Sequence, residues 1–121
     1  MPPLNDLAEV TARDRAEWRA WLDANHASSP GAWLVLAKKG SGLASVSYDE
    51  AVEECLCFGW IDSKVMTIDA KRYKQLVTPR KPRSGWSASN KARVERLIRE
   101  GRMAPAGLAL VEAARADGAW D

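Results

Sequence analysis

The chain predicts a single α+β domain, a small, mainly antiparallel three-stranded sheet packed by about four helices. Three observations carry this expectation. Segments near residues 12–25, 48–58, 88–100 and 105–117 place apolar residues at helical spacing. Segments near 32–38, 60–68 and 71–78 are instead rich in strand formers, and the last two are separated only by a short polar turn. The length of 121 residues, with 46% hydrophobic and 28% charged residues, is that of one domain with a real core and a wet surface.

Residues 1–10 read as a partly ordered lead-in. They lack the basic start and apolar centre of a signal peptide. No run approaches the roughly 18–20 apolar residues of a membrane span, so a cytoplasmic protein without membrane insertion is expected. Thr11, with Asp14 three residues on, marks the start of a helix running to about Asn25. Trp18, Trp21 and Leu22 form its apolar edge, and Arg13, Arg15, Glu17 and Arg19 are assigned mostly to water. His26 sits at the helix end as a dipole-compensating cap. After the turn Ser28-Ser-Pro-Gly31, the unbroken apolar run Ala32–Ala37 reads as a central strand covered on both faces. Lys38-Lys-Gly-Ser-Gly42 is an exposed turn without P-loop spacing.

The next helix is the best marked. Ser47 as N-cap and Glu50 three residues later form a capping box. Tyr48, Ala51, Val52, Cys55 and Leu56 make one apolar stripe, which leaves Asp49, Glu50, Glu53 and Glu54 on the wet face. Gly59 fits the left-handed position that ends a helix. Beyond it the period becomes two. Trp60, Asp62, Lys64 and Met66 share one strand face, and Ile61, Ser63, Val65 and Thr67 the other. Asp62 and Lys64 beside the Trp60 indole are either a wet face or the wall of a ligand site. The returning strand, Arg72–Thr78, completes a hairpin that brings Trp60 and Asp62 towards Thr78 and Arg80.

Pro79-Arg-Lys-Pro-Arg-Ser-Gly-Trp86 cannot be helix or interior strand, because it holds two prolines and a glycine. It is a stiff loop that gathers Arg80, Lys81 and Arg83, with Trp86 at its exit. Ser87 or Ser89 then caps a helix that turns Ala92, Val94, Leu97 and Ile98 inward and closes at Gly101. A helix start with arginines beside it suits an anion; equally, the arginines can pair with Asp62, Glu53 or Glu54 inside the fold. Pro105 opens the last helix, which carries Leu108, Val111 and Ala114 on one side and ends near Gly118.

The net charge of +2 hides an asymmetry. Residues 71–102 hold 11 Lys and Arg against 2 Glu, a balance of +9, and the remainder carries 7 basic and 14 acidic residues. Such a segment binds anions or docks on the acidic part of its own chain. The two cysteines, Cys55 and Cys57, lie on different faces of a helix, so neither a mutual disulfide nor a metal site is expected, and no cofactor is implied. The six tryptophans supply core and candidate pocket walls.

Three strings, Cys57-Phe-Gly-Trp-Ile-Asp-Ser63, Thr78-Pro-Arg-Lys-Pro-Arg-Ser-Gly-Trp-Ser87 and Asn90-Lys-Ala-Arg-Val-Glu-Arg-Leu-Ile98, occur in one order together with Gly101-Arg-Met-Ala-Pro-Ala-Gly107. In these the chain resembles the bacterial YdeI/OmpD-associated, bacteriocin-protection-like family from about Trp18 onward. The resemblance implies envelope-stress or antimicrobial-peptide protection and makes the hinge and the arginine loop signature stretches. It implies no catalytic residues. Typical members continue into a further helical, basic region, so the chain corresponds to the core without that extension.

The expected function is a non-catalytic cytosolic module that binds an anionic small molecule or peptide group at Trp60, Asp62, Lys64, Arg80, Lys81, Arg83 and Trp86, with a protein partner as a further possibility. The alternatives are nucleic-acid binding through residues 71–102, and a small enzyme with Asp62 as acid or base or Cys57 as nucleophile. For the last, no base is visibly paired with the thiol, since His26 is the only histidine.

Overall fold

In the computed structural model, which describes residues 3–81 and 83–120, the chain is α+β with four helices, but its sheet has four strands and is mixed. This corrects the expected three-stranded, mainly antiparallel sheet. The order along the sheet is β1-β2-β4-β3, where β1 is Ala8–Thr11, β2 Ala32–Ala37, β3 Trp60–Thr67 and β4 Arg72–Pro79. Strand β1 runs parallel to β2, with Ala8 opposite Ala32 and Thr11 opposite Val35; β4 is antiparallel to both β2 and β3.

The extra strand comes from the segment expected to be a loose lead-in. It is short, lies at the sheet edge and is mostly exposed, so it has no apolar run to announce it. A single 3-10 turn at Leu4–Asp6 precedes it. Met1 and Pro2, at the start of the expected lead-in, and Asp121, at the other end of the chain, lie outside the described residues. With β1 in place, helix α1 (Arg15–Asn25) becomes the crossover of a parallel β-α-β unit. Its N-cap is Asp14, which accepts from the Glu17 amide at 2.9 Å, and not Thr11, which is committed to the strand.

The sheet is covered on both faces over β2. Ala32, Leu34 and Leu36 point into the main core with Val77 and Trp60; Trp33 points the other way, to Leu76 and Leu7. The Trp33 indole donates to the Leu4 carbonyl at 2.9 Å, which ties the N-terminal turn to that second face. The main core is closed by α1, α2 (Tyr48–Cys57), α3 (Ala88–Arg99) and α4 (Pro105–Asp117), through Trp18, Leu22, Val52, Leu56, Val94, Leu97 and Val111. The Ser47–Glu50 capping box forms as expected, and of the two candidate caps of α3, Ser87 and Ser89, it is Ser87 that caps the helix. On α3 only Val94 and Leu97 turn fully inward; Ala92 and Ile98 are exposed.

Helix α2 sits at the centre, and its C-terminal end is where α4 docks. Gly59, at φ +79°, ends the helix, and the Ala104 amide donates to the Cys57 carbonyl at 3.0 Å. Gly107 of α4 rides directly over that carbonyl, where any Cβ would overlap the Cys57 backbone.

Glu54 does not face water. It is 0% exposed and is held by three arginines. Arg15 Nε donates to Oε2 at 2.5 Å, Arg19 Nη1 to Oε1 at 2.7 Å and Arg102 Nη2 to Oε2 at 3.0 Å. Arg15 also holds Glu53 at 2.6 Å, and Arg96 bonds the other oxygen of Glu53. Arg19 continues to the Arg102 carbonyl at 2.9 Å. Thus Arg15 and Arg19, assigned mostly to water from the helical pattern, are half-buried partners of the enclosed carboxylate. The basic segment docks in part on the acidic body, through Arg93 to Asp49, Arg96 to Glu53 and Arg102 to Glu54.

Burial by itself pushes the Glu54 carboxyl up, but the hydrogen bonds from Arg15, Arg19 and Arg102 outweigh it and leave the group below its ordinary range. A folded-state pKa below the unfolded one contributes stability that is fully present above the ordinary glutamate value of about 4.3 and is lost as pH falls through the folded value. Glu54→Gln leaves the three guanidinium groups around a neutral amide, and urea unfolding at neutral pH is expected to show a loss of about 3 to 5 kcal/mol. The same variant should show a shallower stability decline on acidification than the parent chain.

Candidate functional site

The hairpin sets the position of the arginine loop. Trp60 lies opposite Pro79, Ile61 opposite Thr78 and Asp62 opposite Val77. The Arg80 amide donates to the Gly59 carbonyl at 2.9 Å, so the loop leaves the sheet beside the hinge that ends α2. Pro82, one of the two prolines expected to stiffen it, lies outside the described residues.

Within the loop, Arg80 lies over Trp86, its guanidinium carbon 3.8 Å from the indole centroid. Its Nη2 donates to Ser84 Oγ and to the Gly85 carbonyl, both at 3.0 Å, and Ser84 Oγ donates to the Lys81 carbonyl at 2.8 Å. These bonds fold the loop over its own arginine. Burial lowers the Arg80 pKa from the ordinary arginine value, although a guanidinium stays charged in proteins. Arg83 adopts φ +64°, a left-handed conformation that disfavours a non-glycine residue.

The stack extends beyond Trp86. Trp120 meets it at 5.0 Å between centroids, tilted by 51°, and Arg115 lies 5.0 Å over the Trp120 ring. An Arg80–Trp86–Trp120–Arg115 ladder thus joins the loop to the end of α4. Between loop and helix lies a cleft of about 170 Å³, lined on one side by Arg80, Lys81, Arg83 and Trp86, and on the other by Leu110, Ala114 and Asp117.

Four of the seven residues singled out in the sequence therefore meet at this cleft; Trp60, Asp62 and Lys64 do not line it. Trp60 is 1% exposed and packs edge-on to Trp21 at 5.9 Å in the main core. Asp62 accepts a hydrogen bond from the Tyr48 hydroxyl at 2.7 Å. Lys64 is exposed on the edge strand, and its carbonyl accepts from the buried Gln75 amide at 3.1 Å. The far wall of the cleft is not among the residues that the sequence singles out. Leu110, Ala114 and Asp117 follow the helical repeat, so they could be grouped on one face, but nothing local shows that this face meets the loop.

The residues considered for catalysis are committed to the fold. Cys57 is fully enclosed, and burial raises its thiol pKa, as does the neighbouring Glu54 charge. Cys55 is raised mainly by burial. Burial, and then the bond to the Asp62 carboxylate, push the Tyr48 phenol up to about 12, so at neutral pH it is a hydrogen-bond donor. His26 caps α1 with Nδ1 2.8 Å from the Leu22 carbonyl. Among the described residues no group of three or more His, Cys, Asp or Glu is placed to hold a metal ion, and no helix is long and apolar enough to cross a membrane.

Residues 10–110 match the model of a family described as a domain of unknown function, DUF8412, and the chain belongs to that family. No curated protein and no solved structure matches it.

Enclosure of both thiols has a direct readout. In native protein at mildly alkaline pH, neither Cys55 nor Cys57 should react with an aromatic disulfide reagent on the timescale of a free thiol. Both should react together once denaturant opens the core, measured as thiolate release.

Proposed function

We propose that this DUF8412 chain is a non-catalytic binding module whose loop–α4 cleft takes one anionic group of a small molecule or peptide. The observation that carries the reading is the state of the cations. Arg72, Arg93, Arg96 and Arg102 are spent on carboxylates of the chain itself. Among the described residues, Arg80, Lys81 and Arg83 make no ion pair, yet they line one cleft. Trp86 and Leu110 give that cleft an apolar wall, and Asp117 gives it one carboxylate that can receive a donor of the ligand. A volume of about 170 Å³ is below the roughly 300 Å³ at which sites for whole drug-sized molecules begin, so a single carboxylate or phosphate is the natural guest, with the rest of the ligand outside.

A non-catalytic role is supported by the enclosed thiols and by the Tyr48–Asp62 bond. The resemblance to the YdeI/OmpD-associated family adds a cytosolic setting and a link to envelope stress or antimicrobial-peptide protection to the proposal. It rests on the sequence strings alone. Nucleic-acid binding is the weaker reading, because three cations of the basic segment already face Asp49, Glu53 and Glu54.

Thermal shifts with phosphate, sulfate, small carboxylates, nucleotides and short oligonucleotides, at low and moderate salt, test this. A ligand at 100 times its Kd stabilises by about 2.7 kcal/mol. Arg83→Ala, which leaves the Arg80–Trp86 stack intact, should weaken a phosphate or carboxylate response by about tenfold, the loss of one charge-assisted hydrogen bond. A response indifferent to Arg83→Ala and Lys81→Ala would refute the site. A response confined to oligonucleotides and falling steeply with salt would move the function to nucleic acid.

A further inference from the structure

A second, larger hollow lies at the other end of β4, about 25 Å away along a strand of 8 residues. It is a groove of about 670 Å³, inside the range of roughly 300–1,000 Å³ typical of small-molecule sites. It arises from unequal strands. Strand β1 stops at Thr11, opposite Val35, and the chain turns away into α1, whereas β2 continues through Leu36 and Ala37. The loop at residues 43–45 lies across the gap, and the β3–β4 turn at Asp69–Arg72 forms the opposite bank.

The lining has a definite chemistry. Val35 and Ala37 make an apolar floor, with Leu36 between them turning its side chain to the main core, and Leu43 and Ala44 make an apolar wall, with Leu43 45% exposed. Arg13, Lys71 and Arg72 also line the groove, against the single carboxylate of Asp69. The Arg13 guanidinium is held by Glu17 at 2.8 Å, and that of Arg72 by Asp69 at 2.9 Å. Among the described residues the Lys71 ammonium has no such partner, so it is the cation left for an incoming charge.

The backbone narrows the class of guest. A peptide adding itself to the sheet at this point would need the free edge of β2 beyond Val35. The Ala37 amide is already taken by Ser45 Oγ at 3.1 Å, and the Val46 amide by the Ala12 carbonyl at 3.1 Å. What remains is an apolar trough with one uncommitted cation at its rim. We propose that this groove binds a small amphipathic organic anion, with its apolar body along Val35–Ala37 and Leu43 and its acid group on Lys71. The site is separate from the loop–α4 cleft and does not depend on the reading of that cleft.

Amide-resolved NMR titration of the full chain tests it, with octanoate, octan-1-ol and naphthalene-1-carboxylate as probes. Octanoate stands for acyl-chain acids and naphthalene-1-carboxylate for aromatic ones; saturable shifts from either at residues 35–37, 43–45 and 69–72 support the site and name its source. Lys71→Glu should weaken the bound acid by about tenfold or more, the loss of one charged partner and its reversal, and leave octan-1-ol within about twofold. Ala44→Trp, at an exposed position, should fill the trough and remove binding of both acid and alcohol, while the amide spectrum of residues away from the groove stays that of the folded parent. Absence of saturable shifts from both acids, shifts confined to other residues, or an acid affinity indifferent to Lys71→Glu would overturn the proposal.

Discussion

A glutamate enclosed by three arginines is the constraint from which the helical layer follows. Arg15 and Arg19 come from α1, Glu54 from α2 and Arg102 from the segment between α3 and α4. Each partner alone would be a buried or half-buried charge at severe cost. Together they permit only the arrangement in which all three elements meet. Apolar faces can slide past one another with modest loss, but a carboxylate with its oxygens shared among three guanidiniums has one acceptable register. Glu53 widens the same lattice to Arg96, and the Arg19 guanidinium also lies over the Phe58 ring at 5.1 Å. The acidic body and the basic segment are therefore two halves of one internal neutralisation, and the modest net charge is its residue.

That neutralisation is also what makes the unspent cations informative. In a chain with 18 basic residues, a cluster of arginines means little by itself. Once Arg93, Arg96 and Arg102 are seen to be paired, the positive groups of the 80–86 loop and the Lys71 ammonium are distinguished by lining a hollow, which Lys91 and Arg99 of α3, without ion pairs among the described residues, do not. They lie at opposite ends of β4, a strand held on both sides by antiparallel partners. The sheet thus works as a rigid beam with a differently built hollow at each end. One is small and charged beside an indole; the other is larger and mostly apolar, with one cation that has no carboxylate partner among the described residues.

Local chemistry was legible in the sequence; long-range pairing was not. The capping box at Ser47 and Glu50, the left-handed Gly59, the Ser87 cap and the doubly covered β2 each follow from neighbours within a few residues, and each is present. Strand β1 was missed because an exposed edge strand of four residues carries no periodic signal above that of a loop. Glu54 was misplaced because its neighbours on the helix are acidic, while the arginines that draw it inward are 35, 39 and 48 residues distant. Hairpin pairing brings Trp60 and Asp62 towards Thr78 and Arg80, and the register sets Trp60 opposite Pro79 and Asp62 opposite Val77. Pairing alone does not say where the indole goes, and strand alternation sends it to the core while the loop turns outward. The far wall of the cleft depends on how α4 packs, which no local pattern reveals.

The absence of a side chain at Gly107 reaches further than packing. Because α4 rests on the Cys57 carbonyl through that bare position, the helix cannot move toward α2, and the Ala104–Cys57 hydrogen bond keeps it from moving away. Leu110 and Asp117, on the same helix, inherit that fixed distance, and the contact between the tilted indoles of Trp86 and Trp120 holds the facing loop to it. A recess built this way exists before anything enters it. A guest of such a recess would have little conformational entropy of the protein to overcome, and its arrival would be governed by diffusion and the local field of the loop cations rather than by a closing motion.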